Sequence, residues 1–220
     1  MKNTIALAAA LLWASTVPLT AAAATVSVTI SGPGVAADLT LTYGPATDAN
    51  YPGAAFEVTG ISGTFSDAAA GISNANVLGL VPITHDTPEP GNLLAPNDFS
   101  RFAVASGLDP QSHGFLSYDN LYWPGGAPQT ASDYPAYGGI VDIYGLLFSI
   151  GDGKVVNFWS NGVFFGPAVG PIYGVAVATK DQALDYASGI SAAVPEPASA
   201  VLLLLGLGFT GLAARHQRRD

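Results

Sequence analysis

The feature that most limits what this chain can fold into is a two-residue apolar rhythm, repeatedly cut by glycine, proline, asparagine and aspartate. Residues 25–30 read TVSVTI and residues 38–43 read DLTLTY. Alternation of this kind places one row of side chains on each face of an extended strand, and no sustained 3.6-residue period competes with it. The same reading gives strands over 56–65 (broken or bulged at Gly60 and Gly63), 76–83, 99–104, 113–122, 140–150, 154–160 and 173–179. Pro33 and Gly34 mark the first turn, and Asp152 with Gly153 a tight hairpin between two apolar runs. Asn161 and Gly162 predict a further turn into residues 163–165, and residues 181–186 one helical turn. The proline-rich stretch 82–96 reads as an exposed loop. About nine or ten short strands predict an all-β fold, an antiparallel β-sandwich of jelly-roll type, with a barrel as second choice.

The two ends obey other rules. Lys2, an apolar stretch over 5–19 and the small residues Ala22, Ala23 and Ala24 predict a signal peptide over 1–24, handled by the Sec machinery and signal peptidase. At the other end, residues 198–214 carry no charge. Seventeen helical residues rise about 25 Å, close to the roughly 30 Å hydrocarbon core of a bilayer. Arg215, Arg218 and Arg219 follow at once and predict a stop-transfer helix with a cytoplasmic tip. The expected organisation is therefore a leader, an exported β-domain over 25–186, a flexible stalk over 187–194 and a membrane-held tail over 195–220.

Between the ends, residues 25–193 hold fourteen acidic and three basic side chains, a net charge of −11. A surface of that sign repels nucleic acid. With no cysteine in the chain, thiolate metal sites, iron–sulfur clusters and cysteine nucleophiles are excluded.

Pro195, Glu196 and Pro197 stand directly before the uncharged span, so a stiff, extended peptide carrying one acid precedes the membrane segment. The order of this triplet, the apolar span and the arginine cluster resembles the PEP-CTERM sorting signal of Gram-negative bacteria that make extracellular polysaccharide. That resemblance covers about the last 27 residues. It implies an exosortase as processing partner, a membrane-anchored precursor, and delivery to the cell surface or extracellular matrix, where such proteins are associated with biofilm. A second triplet, Pro88, Glu89 and Pro90, lacks the following span.

Chemistry within the domain is sparse. His85 with Asp86 and Glu89 falls short of a recognisable zinc spacing. Ser112, His113, Ser117 and Asp119 supply the residue types of a triad without a nucleophile elbow. Glu57, Asp133 and Asp142 are the acids available for a glycosidase-like pair. Asp109, Asp119, Asp133, Asp152 and Asp181 keep calcium admissible without a loop motif to place it, so no metal or cofactor is expected. Tyr122, Trp123, Tyr134 and Tyr137 lie in or beside the long loop after residue 122 and are the candidate glycan contacts. The expected role is structural or interactive, not enzymatic. An exopolysaccharide-binding module is the alternative, and a cryptic hydrolase the third reading.

Overall fold

The computed structural model describes residues 23–86, 99–105, 114–163 and 170–195. Its elements are all strands: β1 (Ala24–Gly32), β2 (Val35–Thr47), β3 (Phe56–Asp67), β4 (Ile72–Asn76), β5 (Gly79–Leu80), β6 (Ser100–Ala103), β7 (Phe115–Tyr118), β8 (Leu121–Tyr122), β9 (Leu146–Gly151), β10 (Lys154–Gly162), β11 (Ile172–Ala178) and β12 (Ala183–Ala193). The pairings are antiparallel.

One ten-stranded sheet runs in the order β4-β3-β2-β1-β12-β11-β10-β9-β5, with β8 added on β3; β6 and β7 form a separate hairpin. Two meanders, β1 to β4 and β9 to β12, are thus joined where Thr29, Ile30 and Ser31 pair with Ala193, Ala192 and Ser191. This corrects the jelly-roll expectation. Neighbouring strands are mostly consecutive in the chain, so the Greek-key crossings of a jelly roll are missing from the described residues, and the sheet curls into a half-barrel. The curl brings Phe65 of β3 edge-on to Phe148 of β9, ring centroids 6.1 Å apart.

The alternation read from the sequence sets the inner face. Val28 and Ile30 of β1 and Val35, Ala37, Leu39 and Leu41 of β2 are buried there. On β3 the buried apolar positions are Val58, then Ile61, then Phe65. The spacing of three from Val58 to Ile61 is the mark of the register shift beside Gly60, where Thr42 pairs with Gly60 but Tyr43 with Val58. At Gly63 the register is regular. Strand β10 is buried on both faces. Val156 and Phe158 enter the half-barrel core, while Val155 and Trp159 point outward and pack with Leu116, Tyr118 and Val104 of the β6–β7 hairpin region. A strand covered on both sides shows a continuous apolar run, as KVVNFWS nearly does. Full burial of each such side chain is worth roughly 1.5–3 kcal/mol.

Several expected strands are interrupted. The run 76–83 leaves β3 at Asn76 and joins β9 at Gly79, so one predicted strand is a crossing between two margins of the sheet. The run 113–122 breaks at Asp119 and Asn120, where Asn120 has φ 53°. The run 140–150 is a strand only from Leu146, because Gly145 (φ 69°) presses its backbone against β10: a Cβ there would lie 2.0 Å from the Phe158 carbonyl oxygen. Asn161 and Gly162 do not turn the chain; they continue β10, and Gly162 pairs with Ile172. Asp152 and Gly153 do form the two-residue hairpin, with φ 52° and 70°.

The largest correction concerns residues 181–194. The predicted helical turn and flexible stalk are strand β12, paired with β11 on one side and β1 on the other. Ile190 is 1% exposed and packs against Gly32, where a Cβ would come within 2.8 Å of the Ile190 Cγ1.

A buried acid gives the fold a pH signature. Asp67 ends β3 fully buried, its Oδ1 accepting the Ala70 N–H at 3.0 Å. Burial is the main force pushing its pKa up, and the charge of Asp185 on β12 adds to it, against the pull of the Ala70 N–H. A raised carboxyl favours the folded state fully below the unfolded pKa, near 3.9, and loses that contribution as pH rises through the folded value, by about 1.4 kcal/mol per pH unit for one proton. Asp67→Asn keeps the Oδ1 acceptor and removes the charge. Its melting temperature is expected to exceed wild type at pH 7, with the gain vanishing near pH 3.5. Calorimetry across that range checks this, and equal or lower stability at pH 7 would contradict it.

Candidate functional site

Burial redistributes the aromatic candidates. Trp123 is 1% exposed and packs edge-on to Tyr51, centroids 5.0 Å apart, in a small cluster with Ala55, Leu121 and Ala127. Tyr122 pairs with Phe56 on β3 and lies 5.0 Å from the Tyr43 ring. Neither ring offers a face to a sugar, which corrects the expected loop platform. Tyr134 is half-buried, its hydroxyl donating to Asn161 Oδ1 at 3.0 Å. Tyr137 alone of the four is well exposed, at 55%.

A concave feature among the described residues lies at the seam of the half-barrel. A cleft of about 650 Å³ is lined by Glu57 to Ile61 of β3, by Leu78 to Ile83 opposite, and by Asp48, His85, Asp119, Asn120 and Leu121. Asn120 stitches this seam. Its Oδ1 accepts the Leu147 N–H at 2.9 Å, its Nδ2 donates to the Val81 carbonyl at 2.9 Å, and its own carbonyl accepts the Val58 N–H at 3.0 Å. Of the acids considered for a glycosidase-like pair, Glu57 lines the cleft and is exposed, whereas Asp133 and Asp142 do not line it. Ser117 is half-buried on β7, and Ser112 and His113 of the triad option lie outside the described residues, as do Glu89 of the zinc option and Asp109.

At the wall of the cleft two carboxyl groups are buried together, Asp119 lining the cleft and Asp142 set off from it. Asp119 and Asp142 are 3% and 2% exposed. Asp142 Oδ1 accepts the N–H groups of Tyr144 and Gly145 at 2.9 and 3.0 Å, and Asp119 Oδ1 accepts that of Leu121 at 3.1 Å. Burial, reinforced by the charge of Asp142, pushes the Asp119 carboxyl well up; burial also raises Asp142, against the opposing pull of Thr130, of the Gly145 and Tyr144 N–H groups and of Asp119. The Tyr144 hydroxyl is pushed far up by burial and then by the Asp142 charge. Each acid was visible in the sequence, but nothing in the sequence signals that the chain brings them together.

The third element is the C-terminal junction. Val194 packs against the inner core, and Pro195 follows it, exposed. Proline has no N–H to give to a ladder, so β12 stops where the triplet begins. Residues 193–219 match the family model of the PEP-CTERM protein-sorting motif.

The chain carries a PEP-CTERM sorting motif.

This motif implies export, a membrane-anchored precursor and an exosortase that processes it. The match begins at the last residue of β12, so the PEP-CTERM tail follows directly on strand residues paired with β1, with no intervening stalk. Of the tail's own residues only Pro195 is described; Glu196, Pro197, the expected membrane helix 198–214 and Arg215, Arg218 and Arg219 lie outside the described residues. No described helix is long and apolar enough to cross a membrane. At the N-terminus Ala22 is likewise outside them, while Ala24, assigned to the end of the leader, is the first residue of β1 and pairs with Tyr43. No curated protein and no solved structure matches the chain.

Proposed function

We propose that this PEP-CTERM protein is a structural or interaction component of the cell surface or extracellular matrix, associated there with exopolysaccharide, and that its domain is delivered cargo with no catalytic role. The observation that carries the reading is the junction itself. The sorting motif starts at Ala193, the last residue of a strand whose end is paired with β1 and whose earlier part is paired with β11, so a folded domain presents Pro195 at its surface at the start of the sorting tail. A tail built in this way releases an intact domain when it is cut beyond β12. Export permits disulfides without requiring them, so the cysteine-free composition is compatible with delivery outside the cytoplasm.

Replacing Pro195 and Glu196 with alanine tests the delivery. Intact-mass measurement is expected to find the wild-type protein shortened at both ends and recovered in the surface and matrix fractions. The variant is expected as a tail-bearing precursor in the membrane fraction. A variant that matures and distributes like the wild type would reduce the motif to a linker.

A further inference from the structure

Buried polar atoms without a partner concentrate at one place in the domain. Asp119 Oδ2, Thr130 Oγ1, Asp142 Oδ2 and the Tyr144 hydroxyl oxygen all lack a hydrogen-bond partner among the described residues. Their residues are 3%, 1%, 2% and 6% exposed, and Asp119, Thr130 and Tyr144 all interact with Asp142. Protein interiors rarely leave such groups unsatisfied, and a cluster of them marks a site for a further polar species.

Each carboxylate has one oxygen, Oδ1, held by backbone N–H groups, which leaves Oδ2 without those bonds. The two loops are tied to each other, since the N–H groups of Asp119 and Asn120 both donate to the Gly145 carbonyl at 3.2 and 3.0 Å. Among the described residues neither carboxylate is paired with Lys or Arg, and the nearby Asp48, itself 5% exposed, adds a further negative charge. Burying two adjacent carboxylates without a counter-charge is costly.

We propose that Asp119 and Asp142 bind a divalent, oxygen-preferring cation of the calcium class, with the Thr130 and Tyr144 hydroxyl oxygens beside them. A +2 ion cancels the two carboxylate charges, and hard oxygen donors are the ligands that such an ion takes. No trio of His, Cys, Asp or Glu gathers among the described residues to hold a metal. The ligand set therefore has two carboxylates, completed by hydroxyls, carbonyls or water. Such a set belongs to the weak range of extracellular calcium modules, about 10⁻⁴–10⁻³ M.

The test is a calcium titration of the full chain in detergent after stripping with EGTA, read as the thermal unfolding midpoint. The midpoint is expected to climb by roughly 2–5 °C at ten times the half-saturating calcium concentration, with no such rise in sodium chloride of equal ionic strength. Asp119→Asn and Asp142→Asn should fold and lose the response. If either fails to fold, Thr130→Val serves in its place and should move half-saturation to higher calcium. A flat wild-type titration, or a rise that persists unchanged in the variants, overturns the proposal; the two carboxyls then share a proton instead.

Discussion

A chain from which residues 187–193 have been deleted is expected to lose the cooperative unfolding transition of its domain altogether. The deletion removes Ala187, Ser188 and Ile190 from their pairing with Val175, Gly174 and Tyr173 of β11, and Ser191 to Ala193 from β1. It therefore opens the ladder that joins the two meanders. Ile190 alone fills the space above Gly32, and truncating a buried side chain of that size to alanine costs about 2–5 kcal/mol. Tyr173 and Val175, 1% and 0% exposed, would lose their neighbouring strand as well. Against a total stability of about 5–15 kcal/mol, these losses leave nothing to hold the fold. A chain with residues 187–194 replaced by a Gly-Ser run of equal length separates the role of the strand from the role of length. Circular dichroism and thermal melting are the measurements. Were this segment a spacer, the Gly-Ser chain would melt within a few degrees of wild type, and that result would remove β12 from the account.

Why β12 escapes a reading of the sequence is physical. Its alternation is carried by small residues, so Ala187, Ser188, Ser191, Ala192 and Ala193 read as solvated linker. Gly189, in a left-handed conformation at φ 74°, sits where the pairing register shifts between Ser188 and Ile190 and breaks the two-residue rhythm. By contrast β1 and β2 are legible because large apolar residues repeat at every second position. The tail is legible because its triplet, span and basic tip stand in one fixed order. The aromatic candidates mislead for a different reason. Position in a loop says nothing about depth, and the loop after β8 folds back so that Trp123 fills a pocket made by Tyr51, Ala55 and Ala127. The seam cleft and the buried acids depend on contacts between distant segments, which periodicity does not encode.

Asn120→Ala is expected to be the most damaging single substitution at the cleft. Asn120 is 5% exposed and touches β3, β9 and the segment after β5 through one side chain and its own backbone. Alanine removes both side-chain bonds and leaves the Leu147 N–H and the Val81 carbonyl without partners. Each buried group left so costs about 1–3 kcal/mol. The backbone adds a further cost, because φ 53° is a conformation that asparagine adopts with ease and alanine pays roughly 1–2 kcal/mol to reach. Together these predict a loss of about 3–8 kcal/mol, or roughly 6–30 °C in melting temperature. Asn120→Gly resolves the two contributions: it restores the conformational freedom but not the bonds, so it should fall between wild type and alanine, nearer to alanine. If alanine costs under about 1 kcal/mol in calorimetry, the seam is held by its strands alone, and the side chain bridging it is incidental.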